Sequence, residues 1–98
     1  MLVHIVMFKF KEENKKSNIA QAKEMLENLT GSVPSLKSME IGVNFIEADR
    51  AMDLSIIASF ESKGGLDAYS MHPEHQKVVT FLKSVVEYSK ACDYHRAS

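Results

Sequence analysis

The sequence predicts an α+β domain: a four-stranded antiparallel sheet carrying helices on one face. Three observations predict it. Residues 2–10, and later stretches near 36–46 and 52–61, alternate along the chain with the period of a strand. Residues 18–31 and 73–89 instead repeat apolar side chains every three to four positions, the spacing of a helix. With a short closing strand these stretches give the order β-α-β-β-α-β. Right-handed crossovers turn that order into a sheet with strands 1 and 3 in the middle.

The first strand, 2–10, carries Val3, Ile5 and Met7 on one face and His4, Val6, Phe8 and Phe10 on the other. Both faces are largely apolar, which suits a central strand covered on both sides. The charged run "KEENKK", Lys11 to Lys16, reads as a solvated turn. Asn18 with Gln21 resembles a capping box. Ile19, Ala22, Leu26 and Leu29 then follow at helical spacing, and Gly31 sits where a helix stop belongs. Pro34 ends the loop before the second strand. There Met39, Ile41, Val43 and Phe45 share one face, and Ser38, Glu40, Gly42 and Asn44 share a wet one, as on an edge strand. After the turn "EADR", the third strand sets Leu54, Ile56, Ala58 and Phe60 on an apolar face, with Asp53, Ser55, Ile57 and Ser59 on a mixed one. Ser62 is placed to cap a short helix through Tyr69. Pro73 starts a longer helix to about Ser89, and a last strand lies near Ala91–His95.

Ninety-eight residues, 45% of them apolar and 26% charged, make one globular domain spanning 1–98. The net charge of −1, with both signs interspersed, offers no basic footprint for nucleic acid. No apolar run approaches the roughly 20 residues that span a bilayer, so no membrane partner is expected. The opening "MLVHIVMFKF" lacks a basic lead-in and a small-residue cleavage site, and reads as a strand rather than a signal peptide. Cys92 is alone, so a reducing cytoplasm is the expected compartment and a multi-thiolate metal site within one chain is excluded. Gly64 and Gly65 lack the further glycines and the lysine of a phosphate loop. No serine shows a nucleophile-elbow pattern. No cofactor and no metal are expected.

Helices on one face leave the other face of the sheet bare. Yet the first strand is apolar on both sides. Such a patch is too large for a comfortable monomer, and the simplest remedy is a second copy packed sheet against sheet. A two-fold homodimer is expected on this ground alone.

Several pieces together resemble a known family: "HIVMFKF" at the start, "SMEIGVN" in the second strand, "ASFES" ending the third, "AYSMHPEHQ" leading into the last helix, and "DY" near the end. They resemble, in order and over nearly the whole chain, the stress-responsive dimeric α/β-barrel (Dabb) domain family. The resemblance implies a ferredoxin-like fold in which two protomers join their sheets into one barrel. It implies no single activity. Plant members include heat-stable stress proteins and a polyketide cyclase that closes a linear polyketide by aldol condensation. Its tyrosine and histidine fall on Tyr69 and His75, and a cavity histidine falls on His4. A further cavity histidine of that enzyme falls near Leu54, where this chain has none.

Read as residues, His75 begins a stripe continued by Val79, Leu82 and Val86, the face of the helix turned to the sheet. Burial and a nearby helix N-terminus both disfavour its protonated form. Either it is a core histidine satisfied by one hydrogen bond, for which Tyr69 is a candidate donor, or it is a general base. Tyr69 is either an aromatic packed with its hydroxyl at a wet rim, or a donor to a developing oxyanion. If the His4 face of the first strand looks at the helices, His4, Val6 and Phe8 meet Leu26, Val79 and Leu82 around an apolar pocket. His72, beside Pro73, is read as a boundary residue and as a candidate ligand contact. Asp93 is a candidate polar partner for the pocket or the dimer, and Asp53 and Glu40 read as surface carboxylates. Three functions stay open. One is a dimeric domain binding a small apolar or aromatic ligand. The second is a cofactor-independent, cyclase-like enzyme using His75 and Tyr69. The third is a non-catalytic structural stress protein.

Overall fold

The computed structural model describes residues 1–97. Strands β1 (Leu2–Phe10), β2 (Ser38–Val43), β3 (Leu54–Phe60) and β4 (Val86–His95) form one antiparallel sheet in the order β2-β3-β1-β4. Strands 1 and 3 are central, as the element order requires. Helices α1 (Lys15–Ser32), α2 (Lys63–Met71) and α3 (Pro73–Val85) cover one face. None is long and apolar enough to cross a membrane.

Register fixes which residues share a face. Phe8 lies opposite Leu54, Val6 opposite Ile56, His4 opposite Ala58 and Leu2 opposite Phe60. Leu2, Phe8 and Phe10, with Leu54, Ile56, Ala58 and Phe60 of β3, then pack against Ala22, Leu26 and Leu29 of α1, Tyr69 of α2, and Val78 and Leu82 of α3. Burial of each large apolar side chain there contributes roughly 1.5–3 kcal/mol relative to exposure. On the opposite face Ile5 sits between Ile57 and Cys92, and Met7 between Ser55 and Lys90. Among the described residues no helix covers that side, and Met7, Ile57 and Tyr94 are exposed there.

Several boundaries differ from those the pattern predicts, each for a nameable reason. Helix α1 starts at Lys15, one turn before the expected capping box. Its N-cap is Asn14, in the left-handed region at φ 55°, a conformation that asparagine tolerates better than most residues. Asn18 is already inside the helix, and its side-chain amide donates to the Glu13 carbonyl instead of capping. Two carboxylates hold the extra turn: Lys15 Nζ lies 2.8 Å from Glu12 Oε1 and 3.6 Å from Asp53 Oδ2. Gly31 does not stop α1, which runs to Ser32. Strand β2 ends at Val43, so Phe45 lies beyond it and is exposed rather than on the sheet face. Helix α2 runs two residues past Tyr69, and its Ser62 cap accepts from the Gly65 N–H.

The largest difference is at the end of α3. Helical spacing continues to about Ser89, but the helix stops at Val85 and β4 begins at Val86. Residues 86–90 satisfy their backbone by pairing with β1, in which Phe10 faces Val86 and Met7 faces Lys90. Long-range pairing overrides local periodicity here, because a sheet partner along all of β1 leaves no unpaired edge inside the sheet.

Asp53 is not a surface carboxylate. Its side chain is 14% exposed, and its Oδ2 accepts the Phe10 N–H at 2.7 Å. Its own N–H donates to the Phe8 carbonyl at 2.8 Å, so it pins the end of β1. Asp53→Ala is expected to lower stability by about 1–2 kcal/mol, because the Phe10 N–H loses its acceptor. Urea denaturation measures it; an unchanged midpoint would show that water replaces the carboxylate.

Candidate functional site

The site is organised by the break between α2 and α3. Proline at the first position of α3 needs no N–H partner, so the helix starts cleanly at Pro73. His72 is the N-cap, and its Nδ1 accepts the Glu74 N–H at 3.1 Å. His75 follows one turn in, on the stripe whose Val78 and Leu82 are buried against the sheet.

Tyr69 is 1% exposed. Its ring lies 5.1 Å from that of Phe60 and 4.1 Å from that of His75, tilted by 42° to the imidazole. Its hydroxyl is buried and has no hydrogen-bond partner among the described residues. Burial pushes the phenol up to about 12, so the hydroxyl stays a proton donor at neutral pH. The hydrogen bond that His75 was open to taking from Tyr69 is not made. Instead His75 Nδ1 donates to the Ser70 carbonyl at 3.2 Å, an oxygen that also accepts from the Gln76 amide. A proton on Nδ1 leaves the lone pair on Nε2. Burial draws the His75 pKa below its ordinary value, the Ser70 carbonyl opposes this, and the nearby His4 and His72 lower it further. The ring is therefore a neutral acceptor at pH 7.

A cavity of about 470 Å³ lies between α3 and the sheet. His4, Val6, Phe8, Leu26, Tyr69, His75, Val79 and Leu82 all line it, so the structure brings these eight sequence-derived residues together. His72 does not line it; its imidazole serves the helix cap. Ile56, Val78 and Val86 complete the walls, and Lys83, Glu87, Tyr88 and Ser89 are exposed at its rim. Those rim residues were not legible in sequence because they sit at the displaced α3–β4 boundary. Ile56 was legible, since it shares the helix-facing side of β3 and pairs with Val6. The polar groups His4, Tyr69 and His75 lie towards one end. From His75 to Lys83 the helix rises about 12 Å, so the cavity has a polar end and an apolar length.

His4 also has a partner there. Asp93 is its register neighbour on β4, and the carboxylate accepts from His4 Nδ1. A second, larger groove of about 1030 Å³ runs between the start of α1 and residues 43–53. Its Lys9, Lys15, Glu12 and Asp53 face one another as ion pairs. The main influence on Lys15 is its Glu12 hydrogen bond, which raises its pKa. These four charges satisfy one another and hold the fold, and among the described residues the groove has no histidine and no buried side-chain donor without a partner.

Comparison with known protein families matches residues 2–96 to the Stress responsive A/B Barrel Domain. The chain belongs to this family. A stress-response A/B barrel domain-containing protein of Arabidopsis thaliana is 30% identical over 87 residues, which are 86% of this chain and 76% of that protein. Among solved structures, a protein from Bacteroides fragilis described as dimeric, of unknown function and of ferredoxin-like fold, superposes with a TM-score of 0.87 at 24% identity, covering 97% of this chain and 95% of that one. The hydroxynitrile lyase of Passiflora edulis superposes with a TM-score of 0.83 at 21% identity, covering 95% and 90%. At these identities the two structures show the ferredoxin-like fold of the A/B barrel domain and nothing narrower.

Proposed function

We propose that this A/B barrel domain binds a small apolar or aromatic molecule bearing a phenol or carbonyl group. The ligand's polar end meets Tyr69 and His75. One observation carries the reading: a buried hydroxyl without a partner stands beside an imidazole whose Nε2 lone pair is unclaimed, on the wall of an apolar cavity. A buried donor left unsatisfied costs about 1–3 kcal/mol, so the site is incomplete until something accepts from it. An open cavity, rather than a closed gap beside His75, favours this over a purely structural role.

A second reading, cofactor-independent catalysis, is favoured by the neutral state of His75. A carbonyl oxygen accepting from Tyr69 sets the adjacent C–H near the imidazole. His75 Nε2 takes that proton, and the electron pair moves onto the carbonyl as an enolate, stabilised by the Tyr69 hydroxyl. Attack of the enolate carbon on a second carbonyl forms a C–C bond, and the resulting alkoxide takes back the proton. Burial of the remainder of the ligand against Leu26, Val79 and Leu82 positions it.

The reading includes a homodimer formed through the helix-free face of the sheet. The dimeric description of the Bacteroides fragilis structure supports it, as does the row Ile5, Met7 and Ile57. The proposed compartment is the cytoplasm, where the exposed, unpaired Cys92 stays reduced.

Thermal shift with 4-pentylphenol tests the binding. Ligand at a hundredfold excess over its Kd adds about 2.7 kcal/mol to the folded state. His75→Ala is expected to weaken that binding about tenfold or more while leaving the fold intact. The same histidine gives a pH signature. Its folded pKa lies below the unfolded value of 6.5, so the unfolded chain binds the extra proton first. Stability is full above pH 6.5 and falls as pH drops below it, and His75→Ala should flatten that slope. No shift with any phenol or ketone, and no change of slope in the variant, would remove the reading.

A further inference from the structure

We propose that Asp93 is a positioning residue that fixes His4 as a second hydrogen-bond acceptor in the cavity, giving the site a preference for ligands that carry a hydroxyl donor. This rests on the ligand-binding reading above and specifies its chemistry.

His4 lies on central β1, on the face turned to the helices, and lines the same cavity as Tyr69 and His75. Its side chain is 18% exposed. Asp93 stands directly opposite on β4, and the carboxylate accepts from Nδ1. This is the only hydrogen bond of the His4 ring among the described residues. An ionised carboxylate only accepts, so Nδ1 must carry the hydrogen, and in the neutral ring Nε2 carries the lone pair. A free imidazole in water prefers the opposite tautomer, so the preference has to be imposed.

The three histidines near the α2–α3 break then divide in a definite way. His72 accepts at Nδ1 from a backbone N–H and is spent on the helix cap. His75 and His4 each donate from Nδ1, to the Ser70 carbonyl and to the Asp93 carboxylate respectively. In its neutral ring each of those two therefore holds an Nε2 acceptor without a partner among the described residues. With the Tyr69 hydroxyl, the polar end of the cavity offers one obligatory donor and two acceptors. A ligand that only accepts, such as an ether or a simple ketone, uses Tyr69 and leaves both imidazoles unmatched. A ligand with a hydroxyl matches at least one of them. The amide brought by Asp93→Asn can present an N–H to Nδ1, which moves the ring hydrogen to Nε2 and turns acceptor into donor; the carboxylate of a catalytic triad sets its histidine's tautomer in the same way.

Two measurements on the full chain test this. Ring nitrogen shifts of the histidine-labelled protein at about pH 8, above the ordinary histidine range, need no ligand. His4 should be the Nδ1–H tautomer in the wild type and the Nε2–H tautomer in Asp93→Asn. Wild-type His4 with its hydrogen on Nε2 overturns the proposal. Calorimetric titration with 4-pentylphenol and 4-pentylanisole, which differ in a single donor, reads the consequence. The wild type should bind the phenol about tenfold or more tightly than the ether, and Asp93→Asn should erase most of that ratio with its melting temperature preserved. An unchanged ratio in Asp93→Asn overturns the proposal even if binding needs Tyr69 and His75. If neither compound binds the wild type, the ligand-binding reading itself fails, and the nitrogen shifts alone decide the tautomer.

Discussion

Tyr69→Phe is expected to make the ligand-free protein more stable and the ligand-binding protein worse. The ring keeps its packing on Phe60 and His75, because only the oxygen is removed. That oxygen is buried without a partner, so its loss relieves about 1–3 kcal/mol of desolvation. For a domain of this size each kcal/mol moves Tm by about 4–8 °C. Affinity for a phenol or ketone should meanwhile fall between about tenfold and a hundredfold, since its acceptor loses the buried donor. Stability and function moving in opposite directions is the signature of a group kept for a ligand rather than for the fold. A variant that melts lower than the wild type would show that the hydroxyl is already satisfied in the empty protein. The central observation behind the proposed function would then be lost.

Ile57→Lys is expected to separate the protomers proposed to pair through the helix-free face while leaving each folded. Ile57 sits on the helix-free face opposite Ile5 and is more than a third exposed in the single protomer, so an ammonium there stays in water. In a two-fold dimer through that face each substitution appears twice, and two charges enter an apolar interface without partners. The dimer should weaken by at least about a hundredfold, or roughly 2.8 kcal/mol. Sedimentation velocity across micromolar dilutions reads it directly. A variant that still sediments as the wild-type dimer would place the interface elsewhere.

Local patterns revealed the sheet order and most of the cavity. Alternation along residues 2–10 assigned His4, Val6 and Phe8 to one face, and the stripe from His75 through Val79 and Leu82 oriented α3 correctly. Both are periodicities internal to one element, and burial against one core is what produces them. What stayed hidden depends on contacts between distant residues. The α3–β4 boundary is set by pairing with β1, which no window around Ser89 contains. The early start of α1 depends on Asp53, far along the chain, and on asparagine in a left-handed cap. Asp93 was recognisable as a polar residue on the last strand, but its partnership with His4 is a matter of register between the two ends of the chain. His72 shares its motif with His75, yet one ring closes a helix while the other faces the cavity. Spacing alone cannot divide those roles, since tautomer and partner are properties of the folded backbone.

Strand β1 places His4 in the cavity and Ile5 on the outward face as immediate neighbours. A slip of one position would reverse both, putting an imidazole onto the helix-free face proposed to join two subunits and a hydrocarbon branch into the cavity. Seven register pairs with β3 and nine with β4 act against that slip like teeth on both sides of a rack. The proposed assembly and the cavity are thus indexed by one ruler. Insertion of a single residue between Val3 and Phe8 would dismantle both together, whereas the same insertion in the charged turn after Phe10 leaves the indexing untouched.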